Sequence, residues 1–174
     1  AIEFSTPNSA FANISNSLTH KVPVVAGTTG WLSQYNEAVA LCKAKQTAFL
    51  YASNFSIGVN VFFALNKTLA KIMLGLKEYE VAIEEIHHTQ KLDAPSGTAI
   101  TLAEGIIAET DKTGWHLDKA GENEISIVAK RIDSTPGTHI ITYGSEVDTI
   151  EIKHTAHNRN GFALGAVMAA EWIV

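Results

Sequence analysis

Short apolar runs alternate with stretches of helical spacing over the early part of the chain. Ala1–Phe4 reads as a buried strand, Ser5–Asn8 as a turn and Ser9–Leu18 as a helix. Val22–Ala26 is a second apolar run of the type that fills parallel strands, and Gly27-Thr28-Thr29-Gly30 follows at its carboxyl end. Trp31–Lys45 has a helical pattern with Leu32, Tyr35, Val39 and Cys42 on one face, and Thr47–Ala52 is a third strand. Strand, helix, strand, helix, strand is the order of a doubly wound α/β sheet.

The pattern then changes. Ser56–Leu74 predicts a long helix with Val59, Phe62, Phe63, Leu69, Ile72 and Met73 among its apolar positions. Tyr79–Ile86 is a β-type run with Val81 and Ile83 on one face. Ala99, Leu102, Ala103 and Ile106 then fall at helical spacing within Ala99–Glu109. Thr110–Asn123 is polar and reads as a loop. Ile125, Ile127 and Val128 begin a strand that Asp133-Ser134-Thr135-Pro136-Gly137 breaks. His139–Tyr143 and Thr149–His154 complete an antiparallel set, with Ile150, Ile152 and His154 on one face. This second half is α+β in character. Its strands carry apolar residues on both faces, so helices should cover one face and a partner chain the other. Phe162–Ile173 predicts a final helix.

Composition narrows the class. Of the 174 residues, 46% are hydrophobic and 18% charged, an ordinary globular balance. The net charge of −5 and the lack of a basic run argue against nucleic acid as a partner. No apolar stretch is long enough to cross a membrane as a helix, and the first residues do not have the pattern of a signal peptide. The single cysteine, Cys42, excludes an internal disulfide and fits a reducing cytoplasm.

The chemistry concentrates between Glu84 and Thr98. His87, His88 and Lys91 gather three potential cations at the end of the Tyr79–Ile86 strand, with Asp93 as the counter-charge among them. Ser96-Gly97-Thr98 opens the next helix, where unpaired backbone N–H groups and the dipole favour an anion, and Gly97 permits close approach. Two anion-binding devices side by side suit a dicarboxylate or a phosphate, and a histidine can move a proton near neutral pH. A metal centre is not expected, because His87 and His88 are neighbours on a strand and point to opposite faces. The residues alone also allow a solvated histidine pair and a simple helix cap. At the carboxyl ends of the three early strands lie Phe4-Ser5-Thr6, Gly27-Thr28-Thr29 and Ala52-Ser53-Asn54-Phe55. They form either a slot for a flat polar ring or three ordinary turns. Arg159 is the one arginine expected near a site.

The run His87-His88-x-x-Lys91-x-Asp93-Ala94-Pro95-Ser96-Gly97-Thr98-Ala99 resembles the signature of the dihydrodipicolinate reductases of bacteria and plants, and Gly27–Gly30 and Asn54–Asn60 agree with it in order and spacing. The resemblance runs from about Ile2 to Ile173. It implies a Rossmann-like dinucleotide-binding domain of residues 1–54 and 159–174, and an α+β substrate-binding and tetramerisation domain of residues 55–158. It further implies reduction of a cyclic unsaturated dicarboxylate by NADH or NADPH, on the diaminopimelate route to lysine. In that reading His87 is the proton donor, assisted by Lys91. His88, Lys91, Ser96, Gly97 and Thr98 hold a carboxylate. Phe4, Gly27, Thr28, Thr29, Ala52, Ser53, Asn54, Phe55 and Arg159 lie on the cofactor side. No Gly-x-Gly-x-x-Gly occurs in these residues, so the dinucleotide domain is expected to be incomplete here. A non-catalytic dicarboxylate-binding or assembly module, or another nicotinamide-dependent reductase of similar architecture, is the alternative.

Overall fold

A computed structural model describes residues 1–174, which divide into two compact units, Ala1–Ile57 with Asn160–Val174, and Gly58–Arg159. Phe55 thus goes with the first unit and Arg159 with the second, opposite to the boundaries expected above.

The first unit holds three parallel strands, β1 (Ile2–Glu3), β2 (Val24–Ala26) and β3 (Phe49–Tyr51), in that order across the sheet. All of β2 is buried, as expected of a central parallel strand covered on both faces. Helix α1 (Pro7–Thr19), with Pro7 preset for its first turn, packs Ala10, Ile14 and Leu18 against Val24 and Ala26 on one side. Helix α2 (Tyr35–Lys45) joins the same layer through Ala38. The expected continuous helix from Trp31 is instead a 3-10 turn, Leu32–Gln34, followed by α2, and Leu32 and Tyr35 are exposed. Trp31 leads into this turn: its ring is buried among Tyr35, Phe49 and Tyr51, and its indole N–H donates to the Thr28 carbonyl at 2.7 Å.

Helix α5 (Asn160–Trp172) covers the other side, placing Ala166 against Val25 and Phe55. Gly165 allows this approach, because a Cβ there would overlap the Phe55 carbonyl oxygen.

In the second unit the strands are β4 (Glu80–His87), β5 (Gly114–Leu117), β6 (Glu124–Arg131), β7 (Gly137–Gly144) and β8 (Thr149–Ala156), in the order β5-β6-β4-β7-β8. Here the expected antiparallel set needs correction. β7 and β8 are antiparallel to their neighbours, but β6 runs parallel to β4, and β4 separates β6 from β7. The stretch expected to loop, Thr110–Asn123, contains β5, which pairs in parallel with β6. Helices α3 (Ile57–Met73) and α4 (Gly97–Ile107) cover one face. Phe62, Ala70 and Met73 of α3 and Leu102, Ala103 and Ile106 of α4 pack on Val81, Ile83, Ile125, Ile127 and Ile141. Ile72, expected in this core, is exposed, whereas Asn66 is buried and donates to the Leu102 carbonyl at 2.9 Å.

A Gly165→Ala substitution should destabilise the first unit by about 1–3 kcal/mol, the usual cost of forcing an extra methyl into a closed contact. Urea unfolding monitored by far-UV dichroism would read it, and an unchanged midpoint would show that α5 can move aside freely.

Candidate active site

Strand β4 alternates through the sheet, so Val81, Ile83, Glu85 and His87 share the covered face. The last two are polar. Glu85 is fully buried and His87 nearly so. Pairing across the sheet sets Glu85 beside His139 of β7, and His87 beside Arg131 of β6.

These residues form one hydrogen-bonded cluster. His87 Nδ1–H donates to Glu85 Oε2. A carboxylate only accepts, so this nitrogen carries the proton and Nε2 is left to exchange one. Glu85 Oε1 accepts from Arg131 at 3.0 Å and from the backbone N–H of Ser96 at 3.1 Å. Burial by itself would raise the Glu85 pKa. The hydrogen bonds from His87 and Arg131 outweigh it and hold the carboxyl down at about 2. His139 lies edge-on to His87, with ring centroids 5.1 Å apart, and its Nε2 is 3.2 Å from Ser96 Oγ. Burial, then the charge of His87, pushes the His139 pKa down to about 3, so this ring is neutral. Gly137 faces the His87 ring. A Cβ there would come within 3.1 Å of Nε2, and the φ of +156° suits glycine.

Arg131 also organises the loop after β4. Its guanidinium donates to the carbonyls of Lys91 at 3.3 Å and Asp93 at 2.7 Å. Lys91 Nζ in turn bonds both Asp93 oxygens at 2.8 Å, which lowers the Asp93 pKa. Arg159 is therefore not the one arginine near the site.

The residues of the motif divide between two environments. Ser96 is turned inward: its N–H serves Glu85, and its hydroxyl accepts from Ala99 as the cap of α4. Gly97 is exposed, with nothing within 4 Å of where a Cβ would stand, so a ligand can approach the first turn of α4. His88 lines a separate cavity of about 530 Å³ with Thr89, Gln90, Asp133, Ser134, His157 and Arg159. Three loops, after β4, β6 and β8, supply it. Arg159, expected on the cofactor side, thus stands with His88, and His157 joins it. His87, Lys91 and the Ser96–Thr98 turn do not line this cavity.

Glu85, His87 and His139 offer ligand atoms within 4.8 Å of one another, a spacing that a metal ion could use. The donor set fits one poorly. Both Glu85 oxygens are already engaged, and the Arg131 guanidinium beside them repels a cation.

In the first unit the carboxyl ends of the strands build an apolar ledge. The exposed ring of Phe4 lies over Gly27, where any Cβ would collide with it, and meets Phe55 edge-on at 5.7 Å. Ser5 N–H donates to Thr28 Oγ1 at 2.7 Å, and Ser56 N–H to Asn54 Oδ1 at 2.9 Å. A flat ring with a polar substituent fits such a ledge. Thr29 and Ser53 are exposed beside it, and Ala52 is half-buried.

Glu85, Arg131, His139 and His157 were not singled out from sequence. Glu85 carried a signal: it is the one charge on the apolar face of the Tyr79–Ile86 run. The others depend on which strands pair.

Comparison with known proteins agrees with this architecture. Residues 1–55 match the family model described as dihydrodipicolinate reductase, N-terminus, and residues 58–174 match that for its C-terminus. The chain is 60% identical over 174 residues to the 4-hydroxy-tetrahydrodipicolinate reductase of Christiangramia forsetii, covering 99% of this chain and 73% of that protein. It is 41% identical over 175 residues to the enzyme of the same name from Rickettsia bellii, covering 99% and 68%. Among solved structures it resembles a dipicolinate-bound dihydrodipicolinate reductase from Paenisporosarcina sp. TG-14, with a TM-score of 0.77 and 26% identity, covering 99% of this chain and 67% of that one.

The cluster makes stability pH-dependent. The folded pKa of His139 lies below its usual 6.5, so the unfolded chain binds the extra proton and stability falls as pH drops from about 6.5 towards 3. Glu85 is also depressed in the folded state, and its contribution is lost as pH falls from about 4.5 to 2. Urea midpoints should therefore decline steadily from pH 7 to pH 4, and His139→Asn should flatten that slope.

Proposed function

The chain belongs to the dihydrodipicolinate reductase family, and we propose that it catalyses the nicotinamide-dependent reduction of 4-hydroxy-tetrahydrodipicolinate on the diaminopimelate route to lysine. The observation that carries the reading is the His87 ring. It is fixed by Glu85 at Nδ1 and lies in the same buried cluster as the residue that caps the anion-favouring turn.

The nicotinamide, from NADH or NADPH, supplies hydride when bound. Phe4, Gly27, Thr28, Thr29, Ala52, Ser53, Asn54 and Phe55 orient its ring, and the ledge of Phe4 over Gly27 supports this. The hydroxyl first leaves as water, which gives a ring double bond; hydride arriving at one carbon of that bond leaves negative charge on its neighbour, so the step needs a proton. His87 delivers it from Nε2, the nitrogen not held by Glu85. Lys91 assists once it exchanges Asp93 for the substrate. The first turn of α4 at Gly97 and Thr98 receives one carboxylate, with Ser96 fixing that turn from beneath. His88 and Arg159 share a cavity suited to an anion, so Arg159 is reassigned here from the cofactor to the dicarboxylate.

His87→Gln should lower kcat by about 10²- to 10⁴-fold, the usual cost of losing a general acid, while the substrate KM changes little. Steady-state kinetics would show it, and wild-type turnover would refute the role.

Assembly follows from the uncovered face of the second sheet. Ile86, Val128 and Ile140 are half-buried there, yet they join none of the packed cores. A homotetramer built on this face covers them. No helix is long and apolar enough to cross a membrane. The one cysteine is a free thiol, in keeping with a reducing cytoplasm. Sedimentation at micromolar concentration should give a mass near four times that of one chain. A monomer with intact far-UV dichroism would exclude the sheet as the assembly surface.

A further inference from the structure

We propose that Glu85 is a positioning residue for the reaction: its buried carboxylate fixes the tautomer and orientation of His87 and ties that ring to the first turn of α4. The proposal rests on the reading of His87 as proton donor.

Three observations carry it. First, Glu85 is fully buried but not idle, since its three hydrogen bonds come from its own strand and from two other elements. His87 is on β4 itself, Ser96 caps α4 and Arg131 ends β6. An unpaired carboxylate at such a position would be strongly disfavoured, and hydrophobic residues would fill the space at less cost. The ion is therefore retained at an energetic disadvantage relative to an apolar core, next to the one ring proposed to move a proton.

Second, the geometry is selective between the two ring nitrogens. Oε2 takes Nδ1–H, so the proton to be delivered resides on Nε2. On that side Gly137 supplies no side chain, and any Cβ would press on Nε2. The ring is thus clamped on one nitrogen and kept clear at the other.

Third, Glu85 Oε1 holds the N–H of Ser96, the residue whose hydroxyl also meets His139. A shift of the His87 ring and a shift of the α4 turn are then coupled through one carboxylate. The charged and titratable groups facing this cluster are His139 from β7, Arg131 from β6 and Lys91 with Asp93 from the following loop. His154 of β8 lies next to His139 across the pairing. Among these only Glu85 touches His87 Nδ1.

The test compares Glu85→Gln, His87→Gln and the double variant in the holoenzyme. Glu85→Gln should lower kcat by roughly 10²- to 10⁴-fold, the upper figure being what is lost when an orienting carboxylate is replaced by an amide, with KM for the dicarboxylate changed far less. Its pH–rate profile should move, because the carboxylate that accepts Nδ1–H is gone. The double variant should be no worse than His87→Gln alone. Wild-type kcat in Glu85→Gln with a crippled His87→Gln would overturn the positioning role and leave the acid intact. Wild-type kcat in both would remove the acid reading first. Equal losses in kcat and dicarboxylate affinity with an unmoved pH profile would mark Glu85 as merely structural and overturn the proposal. Should Glu85→Gln fail to fold, nitrogen NMR of the wild-type imidazole decides: a protonated Nδ1 throughout the active pH range is expected, and a neutral ring protonated on Nε2 alone overturns it.

Discussion

A carboxylate with no access to solvent must either lose its charge or be surrounded by donors. Glu85 takes the second course, and the second unit is arranged around that requirement. Arg131 has to end β6 at the level of His87, which demands the parallel register between β4 and β6. Ser96 has to bring its N–H inward, which fixes where α4 starts. The same guanidinium reaches two carbonyls of the Lys91–Asp93 loop, so the loop carrying a proposed catalytic lysine is pinned by the group that neutralises Glu85. A lysine at position 131 could balance the charge but could not make this set of planar contacts.

The two histidines of the motif illustrate how strand geometry separates functions. His87 ends β4 with its ring in the buried cluster, while His88, the first residue of the loop that follows, lines a cavity with Arg159. One adopts a fixed tautomer under a carboxylate. The other remains available to a ligand. On the proposed reading the pair divides proton transfer from charge binding, rather than doubling one site.

Much of this was legible in the sequence. The three buried residues of β2 gave a parallel strand, and Ala99, Leu102, Ala103 and Ile106 gave the buried stripe of α4. The motif from His87 to Ala99 pointed to the family directly. What stayed hidden depended on pairing at a distance. Nothing local marks Arg131 or His139, because each enters the site only through the neighbour that β4 selects. β5 was missed since Gly114–Leu117 is short and polar in surroundings, and only the edge of β6 makes it a strand. The exposure of Leu32 and Tyr35 goes with the 3-10 turn at Leu32–Gln34, which periodicity alone does not reveal.

The first unit is discontinuous, and this bears on the order in which the chain can assemble. Ser56, one residue before the chain leaves it at Ile57, stands next to Gly161, one residue after the chain returns at Asn160: a Cβ on that glycine would be 3.8 Å from Ser56 Oγ. Until Asn160–Trp172 is made, Val25 and Phe55 lack the cover of Ala166. Closing that contact across a disordered intervening segment carries an entropy cost that rises only slowly with length. A second unit already folded, with its two ends held near each other, turns the long closure into a short one. The inserted unit would then act as a template for its host, and mutations that slow its folding should delay formation of the nucleotide-binding sheet's second layer without touching a residue in it.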